Sequence, residues 1–259
     1  MRFSSAEIMS LVGTYLWPLF RIGALVGAAP LFGTRTVPMR VRIGLAVALT
    51  IVIAPMLPAA PALDPLSAEA VRVVIAQVMI GLVMGFALQL VFSAFVVGGQ
   101  VISMGMGLGF AAMNDPVSGV SVPVVGQFYT VTVTLLFLTL NGHLLLIEAL
   151  VDSFDALPVG TQGIALEGLW DLVNWAGRMF VWAVLIALPA VCALLLANIG
   201  FGIMTRAAPQ LNIFAVGFMA IILLGLLIVY VTLPNLLPQL MGLMDEIFAL
   251  LRHIVTLRD

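Results

Sequence analysis

The chain has 259 residues, of which 63% are apolar and 8% are charged, and its net charge is −2. An ordinary soluble domain is about 45–50% apolar and about 25% charged. So little charge cannot cover a soluble globule, which excludes a soluble enzyme, a nucleic-acid binder and a disordered chain. The apolar runs are long and do not alternate in polarity, which favours membrane helices over a β-barrel. The sequence therefore predicts an all-α, polytopic helical membrane protein.

A helix that crosses the ~30 Å hydrocarbon layer needs about 20 mostly apolar residues. About six segments meet this requirement, and in chain order they are about 8–30, 43–61, 71–98, 124–147, 175–200 and 212–244. Pro189 lies within the fifth segment, and Pro234 and Pro238 lie near the end of the sixth. Proline removes a backbone donor, so we expect kinks at these positions.

The first segment contains a charged residue, Arg21. An arginine in mid-membrane costs about 2.5–3.5 kcal/mol on insertion scales, so it needs a reason to be there. It either pairs with a carboxylate or polar cavity at a subunit interface, or it extends to the headgroups from a shifted helix. The pairs Gly23/Gly27 and Gly81/Gly85 have the GxxxG spacing that lets two helices approach closely.

The run 73–114 contains no charged residue. As one helix it would be ~63 Å long, about twice the hydrocarbon thickness, so it must break or leave the bilayer. We expect this at Gly98-Gly99 or at the glycines that alternate from Gly105 to Gly109.

Charges in the links predict an orientation. The links 31–42 and 201–211 carry arginines and no acid, whereas 62–70 and 148–174 carry acids and no basic residue. The positive-inside rule places 31–42, 99–123 and 201–211 in the cytoplasm and both termini outside. Among the acids, Glu148, Asp152 and Asp155 share one helix face, which is a solvated face, a proton pathway or a surface for a basic partner.

Residues 105–116, GMGLGFAAMNDP, form an apolar segment that ends in a turn signal. Irregular apolar backbone must be shielded from lipid, so this segment either lines or blocks a passage or is an ordinary interhelical loop. The alternating glycines lack the βαβ context of a dinucleotide site. No HExxH or GxSxG motif occurs, and the two histidines are far apart, so we expect no enzyme activity, no metal site and no cofactor.

Four stretches carry a resemblance to a known family. They are RIGALVGAAPLFGTRTVPMRVRIG (21–44), GMGLGFAAMNDPVSG (105–119), NGHLLLIEALVDSFDALPVG (141–160) and RAAPQLNIFAVGF (206–218). In order and spacing the chain resembles the FliR family of flagellar biosynthetic proteins and its type III secretion relatives. The third stretch is more similar to the flagellar branch than to the injectisome branch.

The resemblance implies a structural subunit of the flagellar type III export gate, part of an inner-membrane channel for unfolded proteins in the flagellar basal body. Its partners would be FliP-like and FliQ-like gate subunits, FlhB-like and FlhA-like export proteins and the exported chains, with no nucleic acid. Residues of about 1–174 would be the FliP-like part, and about 175–259 a FliQ-like helical hairpin.

The resemblance also implies site residues. The loop 105–122 would be the pore plug, with Gly105, Met106, Gly107, Leu108, Gly109, Phe110, Met113, Asp115 and Pro116 as its plug residues. Contacts with other subunits would involve Arg21, Gly23, Gly27 and Arg206.

Two functions of other classes remain open from the residues themselves. A small secondary transporter would need polar groups near the bilayer midplane, and usually internal repeats. The stretches 73–114, 179–205 and 207–244 contain no Asp, Glu, Lys, Arg or His. This absence of ionisable side chains weighs against a proton-coupled carrier. An intramembrane hydrolase would need a nucleophile–base pair, which the motifs above do not supply.

Overall fold

A computed structural model describes residues 5–34, 37–58, 61, 63–64, 67–108, 124–207 and 213–256. Within these ranges every regular element is a helix, which confirms the all-α prediction. The helices are α1 (Ser5–Ala28), α2 (Met39–Ile53), α3 (Ala68–Gly105), α4 (Val124–Thr139), α5 (Gly142–Ala156), α6 (Leu166–Ala207), α7 (Ile213–Thr232) and α8 (Leu236–Thr256). Short 3-10 turns follow α2 at Ala54–Met56 and α7 at Leu233–Asn235.

The helices are long and apolar enough for a membrane protein with several spans. In the described part of the chain, 4 stretches could cross a membrane by length and composition: Met39–Met56, Ala68–Gly105, Leu166–Ala207 and Gly217–Thr256. The pair α4 and α5, bent by 67°, would make a fifth if it is one span. This is consistent with the approximate count from the sequence, and it confirms the polytopic helical class.

The uncharged run forms one continuous helix, α3, as far as Gly105. The expected end among the alternating glycines is confirmed, but a break at Gly98-Gly99 is wrong. Those two glycines serve packing instead: a Cβ at Gly98 would lie 3.1 Å from the Ala183 carbonyl oxygen, and one at Gly99 would lie 2.7 Å from the Gly126 Cα. Glycine here lets neighbouring backbones approach, while the hydrogen bonds of the helix remain intact.

The segment predicted at 124–147 is two helices, α4 and α5, rather than one. Asn141 between them has φ 56°, in the left-handed region, and its carbonyl oxygen accepts from the backbone N–H of Leu144 at 2.8 Å. Asparagine tolerates this conformation better than most residues. The chain changes direction at Asn141, so that α4 ends before it and α5 begins after it. The prolines expected to kink helices have different positions. Pro234 lies in the 3-10 turn that separates α7 from α8, whereas α6 continues through Pro189.

The helices form two compact units that are interleaved along the chain. The first consists of Met1–Leu90, Leu140–Ala176 and Met244–Asp259, and the second of Val91–Thr139 and Gly177–Leu243. These units are defined by packing within the chain. The boundary expected near residue 174 is of another kind, because it separates a FliP-like part from a FliQ-like hairpin by resemblance. That boundary therefore stays a prediction.

Each unit has its own apolar core. In the first, Trp17 is buried against Ala70 and Val73, and further buried side chains come from α3, α5 and α8, among them Met84, Leu88, Leu150, Phe154, Ile247 and Leu251. In the second, Phe92 and Phe137 meet edge to face at 5.6 Å, and the buried set includes Phe95, Ile102, Met106, Tyr129, Leu194 and Leu240.

Candidate functional site

Arg21 lies at the centre of the first unit, with no exposed surface. Its Nε donates to Gln77 Oε1 of α3 at 2.9 Å. Its Nη1 donates to the carbonyl oxygen of Ser153 at 2.8 Å and to the Ser153 hydroxyl at 3.1 Å. Its Nη2 donates to the Leu157 carbonyl oxygen at 2.7 Å. The guanidinium thus connects α1, α3 and the end of α5.

The end of α5 suits a buried cation. Leu157 is the C-cap residue of α5, where carbonyl oxygens lack partners within the helix and carry the negative end of its dipole. The Phe154 ring lies below the guanidinium, with 4.0 Å from Cζ to the ring centroid, a cation–π contact. Within the described residues, the acceptors that bind Arg21 are neutral oxygens of its own chain and no carboxylate is among them.

Arg21 does not extend to the headgroups, which was the alternative interpretation, because its side chain is completely buried. Its expected role at a contact with another subunit stays a prediction, because one chain does not test it. Sequence reasoning missed Gln77 and Ser153 as its partners. Their polarity was the available signal, since Gln77 lies in the uncharged run 73–114 and is fully buried.

The two GxxxG pairs have different surroundings. A Cβ at Gly81 would overlap the carbonyl oxygen of Arg21, and one at Gly85 would lie 2.5 Å from the Ala28 Cβ, so this pair packs directly on α1. Among the described residues, a Cβ at Gly23 or Gly27 would meet nothing within 4 Å. The small face at 23 and 27 is therefore open in this chain, and its use as a subunit contact stays a prediction.

The structure describes the first four residues of the predicted plug. Gly107 has φ 78°, its N–H donates to the Met104 carbonyl oxygen at 3.0 Å, and the Leu108 N–H donates to the Ser103 carbonyl oxygen at 3.0 Å. This pattern is a Schellman motif, in which a left-handed glycine satisfies the last carbonyl groups of a helix. It ends α3 and starts the loop in a defined direction.

The remaining predicted site residues fall into two groups. Arg206 is exposed in the last turn of α6. The other plug residues lie outside the described residues, and they are Gly109, Phe110, Met113, Asp115 and Pro116.

The acidic face of α5 borders a groove. Glu148, Asp152 and Asp155 are exposed, as expected for one helix face, and the first two line a groove of about 490 Å³ with Asp245 and Arg252 of α8. Elsewhere in the first unit, His253 Nε2 lies 3.6 Å from Asp171 Oδ2, and both side chains are largely exposed. In the part of the chain that the structure describes, no three His, Cys, Asp or Glu residues are placed to hold a metal ion.

Comparison with known proteins shows the family to which the chain is related. Residues 12–247 match the sequence model of the family described as "Bacterial export proteins, family 1". The chain is 37% identical over 256 residues to the flagellar biosynthetic protein FliR of Escherichia coli (strain K12), covering 99% of this chain and 98% of that protein. It is also 37% identical over 257 residues to FliR of Pectobacterium carotovorum subsp. carotovorum, with 99% and 98% coverage. Its identity to FliR of Bacillus subtilis (strain 168) is 29% over 218 residues, with 82% of each chain covered.

Proposed function

Because the chain belongs to the FliR family of flagellar biosynthetic proteins, we propose that it is a structural subunit of the flagellar type III export gate. Membership of this family makes it a component of the flagellar export apparatus, and its apolar helices make it a membrane protein. In the proposal it lies in the bacterial inner membrane at the flagellar basal body and forms part of a channel for unfolded proteins. Its role is structural and not catalytic.

The exposed apolar surface of α6 carries this proposal. Large apolar side chains are exposed along this helix from Leu166, which is 81% exposed, to Met204, which is 51% exposed. The rise between these residues is ~57 Å, well beyond the ~30 Å that lipid tails can cover. A surface of this length needs protein partners as well as lipid, as a subunit of a larger assembly has.

The partners in the proposal are FliP-like and FliQ-like gate subunits, with FlhB-like and FlhA-like proteins beside them. The glycine face of α1 at 23 and 27 and the exposed Arg206 contact these subunits directly. The buried Arg21 takes part in these contacts by holding α1, α3 and the end of α5 together. The two glycines offer a surface on which another helix can pack closely.

The loop 105–122 acts in this proposal as a plug in the passage. Its composition supports the role, because apolar irregular backbone needs a protein-lined cavity and its alternating glycines permit backbone conformations closed to other residues. A flexible methionine such as Met113 can fill a hole and adapt to it. The turn at Asp115-Pro116 would hold the far end.

The plug is tested by deleting residues 109–116, which leaves the structured end of α3 intact. In cells that also express the partner subunits, we expect normal yield of the complex but entry of small dyes and inhibition of growth. The control replaces the same residues with glycine and serine at unchanged length. If apolar side chains close the passage, this control leaks as well.

An assembled deletion complex that leaks no more than the intact one would contradict the plug. Leakage without partner subunits would contradict the gate, because the proposed passage is formed by the assembly. Flagellar export should be measured in the same cells, because an apparatus with an open channel still exports proteins whereas a broken apparatus does not.

A further inference from the structure

The side chain of Met106 has a specific seat in the second unit. Met106 follows the last residue of α3 and is fully buried, although it belongs to a loop. It packs against Gly225 of α7: a Cβ at Gly225 would lie 2.5 Å from Met106 Cγ, 2.7 Å from Sδ and 2.7 Å from Cε. Only a glycine at 225 leaves room for the thioether in this position.

The next residue is held as well. The left-handed Gly107 contacts α7 through Phe218, whose Cε2 would lie 3.1 Å from a Cβ at Gly107. The preceding Gly105 faces Leu194 of α6, whose Cδ1 would lie 3.2 Å from an added Cβ. Three successive residues at the end of α3 thus make close contacts with α6 and α7, and two backbone hydrogen bonds fix their conformation.

We propose that Met106 seated against Gly225 is a fixed anchor from which the plug leaves α3, so that Gly225 is a positioning residue for the plug. This Met106 anchor rests on the proposed plug function and assigns it a boundary. Residues 105–108 stay in place during export. In this respect the anchor differs from the sequence-based prediction, in which Gly105, Met106, Gly107 and Leu108 are parts of the plug itself.

A space beside the anchor makes it testable without loss of the fold. A cleft of about 500 Å³ adjoins Met106 and is lined by residues such as Phe201, Thr205, Phe218 and Ile221. In Gly225→Ala the added methyl group meets the flexible part of a methionine, not backbone. The thioether can therefore move into the cleft while α7 keeps its place.

The first experiment measures dye entry for Gly225→Ala in the complete complex. We expect normal complex yield and a severalfold increase in dye entry, because the plug then starts from a displaced root. Gly44→Ala on α2 is the matched control, since a Cβ at this exposed glycine meets no described atom within 4 Å, and it should leak no more than the unchanged protein. An assembled Gly225→Ala complex with unchanged dye entry would overturn the anchor.

Met106→Ala gives a second test that adds no atoms. It should also raise dye entry severalfold, and the double variant with Gly225→Ala should leak no more than the leakier single variant, because both changes remove the same contact. Unchanged dye entry in Met106→Ala overturns the anchor even if Gly225→Ala fails to assemble. If only the deletion of 109–116 leaks, the anchor fails and the plug stands; if that deletion does not leak, the plug itself fails.

A cross-link tests whether the anchor is fixed, independently of leakage. In a Cys192→Ser background, Met106→Cys with Gly225→Cys should form a disulfide in the assembled complex, whereas Met106→Cys with Gly200→Cys should not. Export should be equal in the oxidised and reduced complexes, because the anchor does not move. No cross-link, or a severalfold loss of export on oxidation that a reductant restores, would overturn the proposal.

Discussion

At the scale of single residues, Arg21 is the most consequential side chain in the first unit. A buried guanidinium is stable only if its N–H groups are bound, and here they join helices that are distant in sequence. The Arg21 side chain, which belongs to α1, caps α5, because it binds carbonyl oxygens at the C-terminal end of that helix. The planar fork spreads its donors over three nitrogen atoms and reaches acceptors on separate helices, whereas the donors of a lysine all radiate from one nitrogen atom.

Arg21→Ala should therefore destabilise the protein severely. It leaves the Leu157 carbonyl and the Gln77 amide buried without this partner, at about 1–3 kcal/mol each, and adds a cavity. Arg21→Lys should recover only part of the loss. The measurement is the thermal stability and yield of the complex in mild detergent, with the exposed Arg252→Ala as control. A stable Arg21→Ala complex would mean that the hydrogen bonds described above contribute little.

Gly81 and Gly23 make a matched pair of glycines on facing helices. Gly81→Ala should lower the free energy of unfolding by about 1–3 kcal/mol, because its Cβ would meet backbone atoms of Arg21 and Leu25 that cannot move aside. Gly23→Ala has open space and should leave the isolated chain unchanged or more stable by up to about 1 kcal/mol. Resistance of the chain to proteolysis, measured in detergent extracts of cells that also express the partner subunits, separates the two variants. Equal effects would contradict the close packing of α3 on α1.

At the scale of elements, the bend between α4 and α5 depends on one residue. Asn141 occupies the left-handed region, which costs most residues about 1–2 kcal/mol and costs glycine nothing. Asn141→Gly should therefore be tolerated, whereas Asn141→Val should lose at least that amount of stability. Thermal unfolding of the complex measures the difference. If valine is as stable as glycine at this position, the bend does not need the left-handed conformation.

The ends of helices show how far local sequence determines an element. The glycines at 105–109 predicted the end of α3, because a left-handed glycine closes a helix, and Gly107 does so. The pair Gly98-Gly99 looked equally suitable as a break, yet α3 continues through it. Glycine permits both a break in a helix and close packing of two helices. Here Gly126, Ala183 and Ile186 lie close to the two glycines, so the glycines serve packing and the helix is not broken.

At the scale of the whole molecule, the exposed apolar surface predicts dependence on partners. Expressed alone, the chain should aggregate or be degraded, because long apolar faces such as those of α6 and α7 lack cover. Expressed with FliP-like and FliQ-like proteins, it should form one large complex. Purification in gentle detergent followed by mass spectrometry of the bound proteins measures this. A stable, active monomer would contradict the gate and favour a small secondary transporter.

The sequence alone determined that this protein is a helical membrane protein and identified its family, because composition, apolar run length and short motifs are local properties. The tertiary structure decided which residues meet. Arg21 binds residues 56 to 136 positions away. Among the described residues, the pair Gly81/Gly85 packs on α1 whereas a Cβ at Gly23 or Gly27 meets nothing within 4 Å, and Met106 packs against Gly225 of α7. Helices that are apolar on nearly every side carry no polar face to set their rotation, so these pairings depend on how the helices pack together.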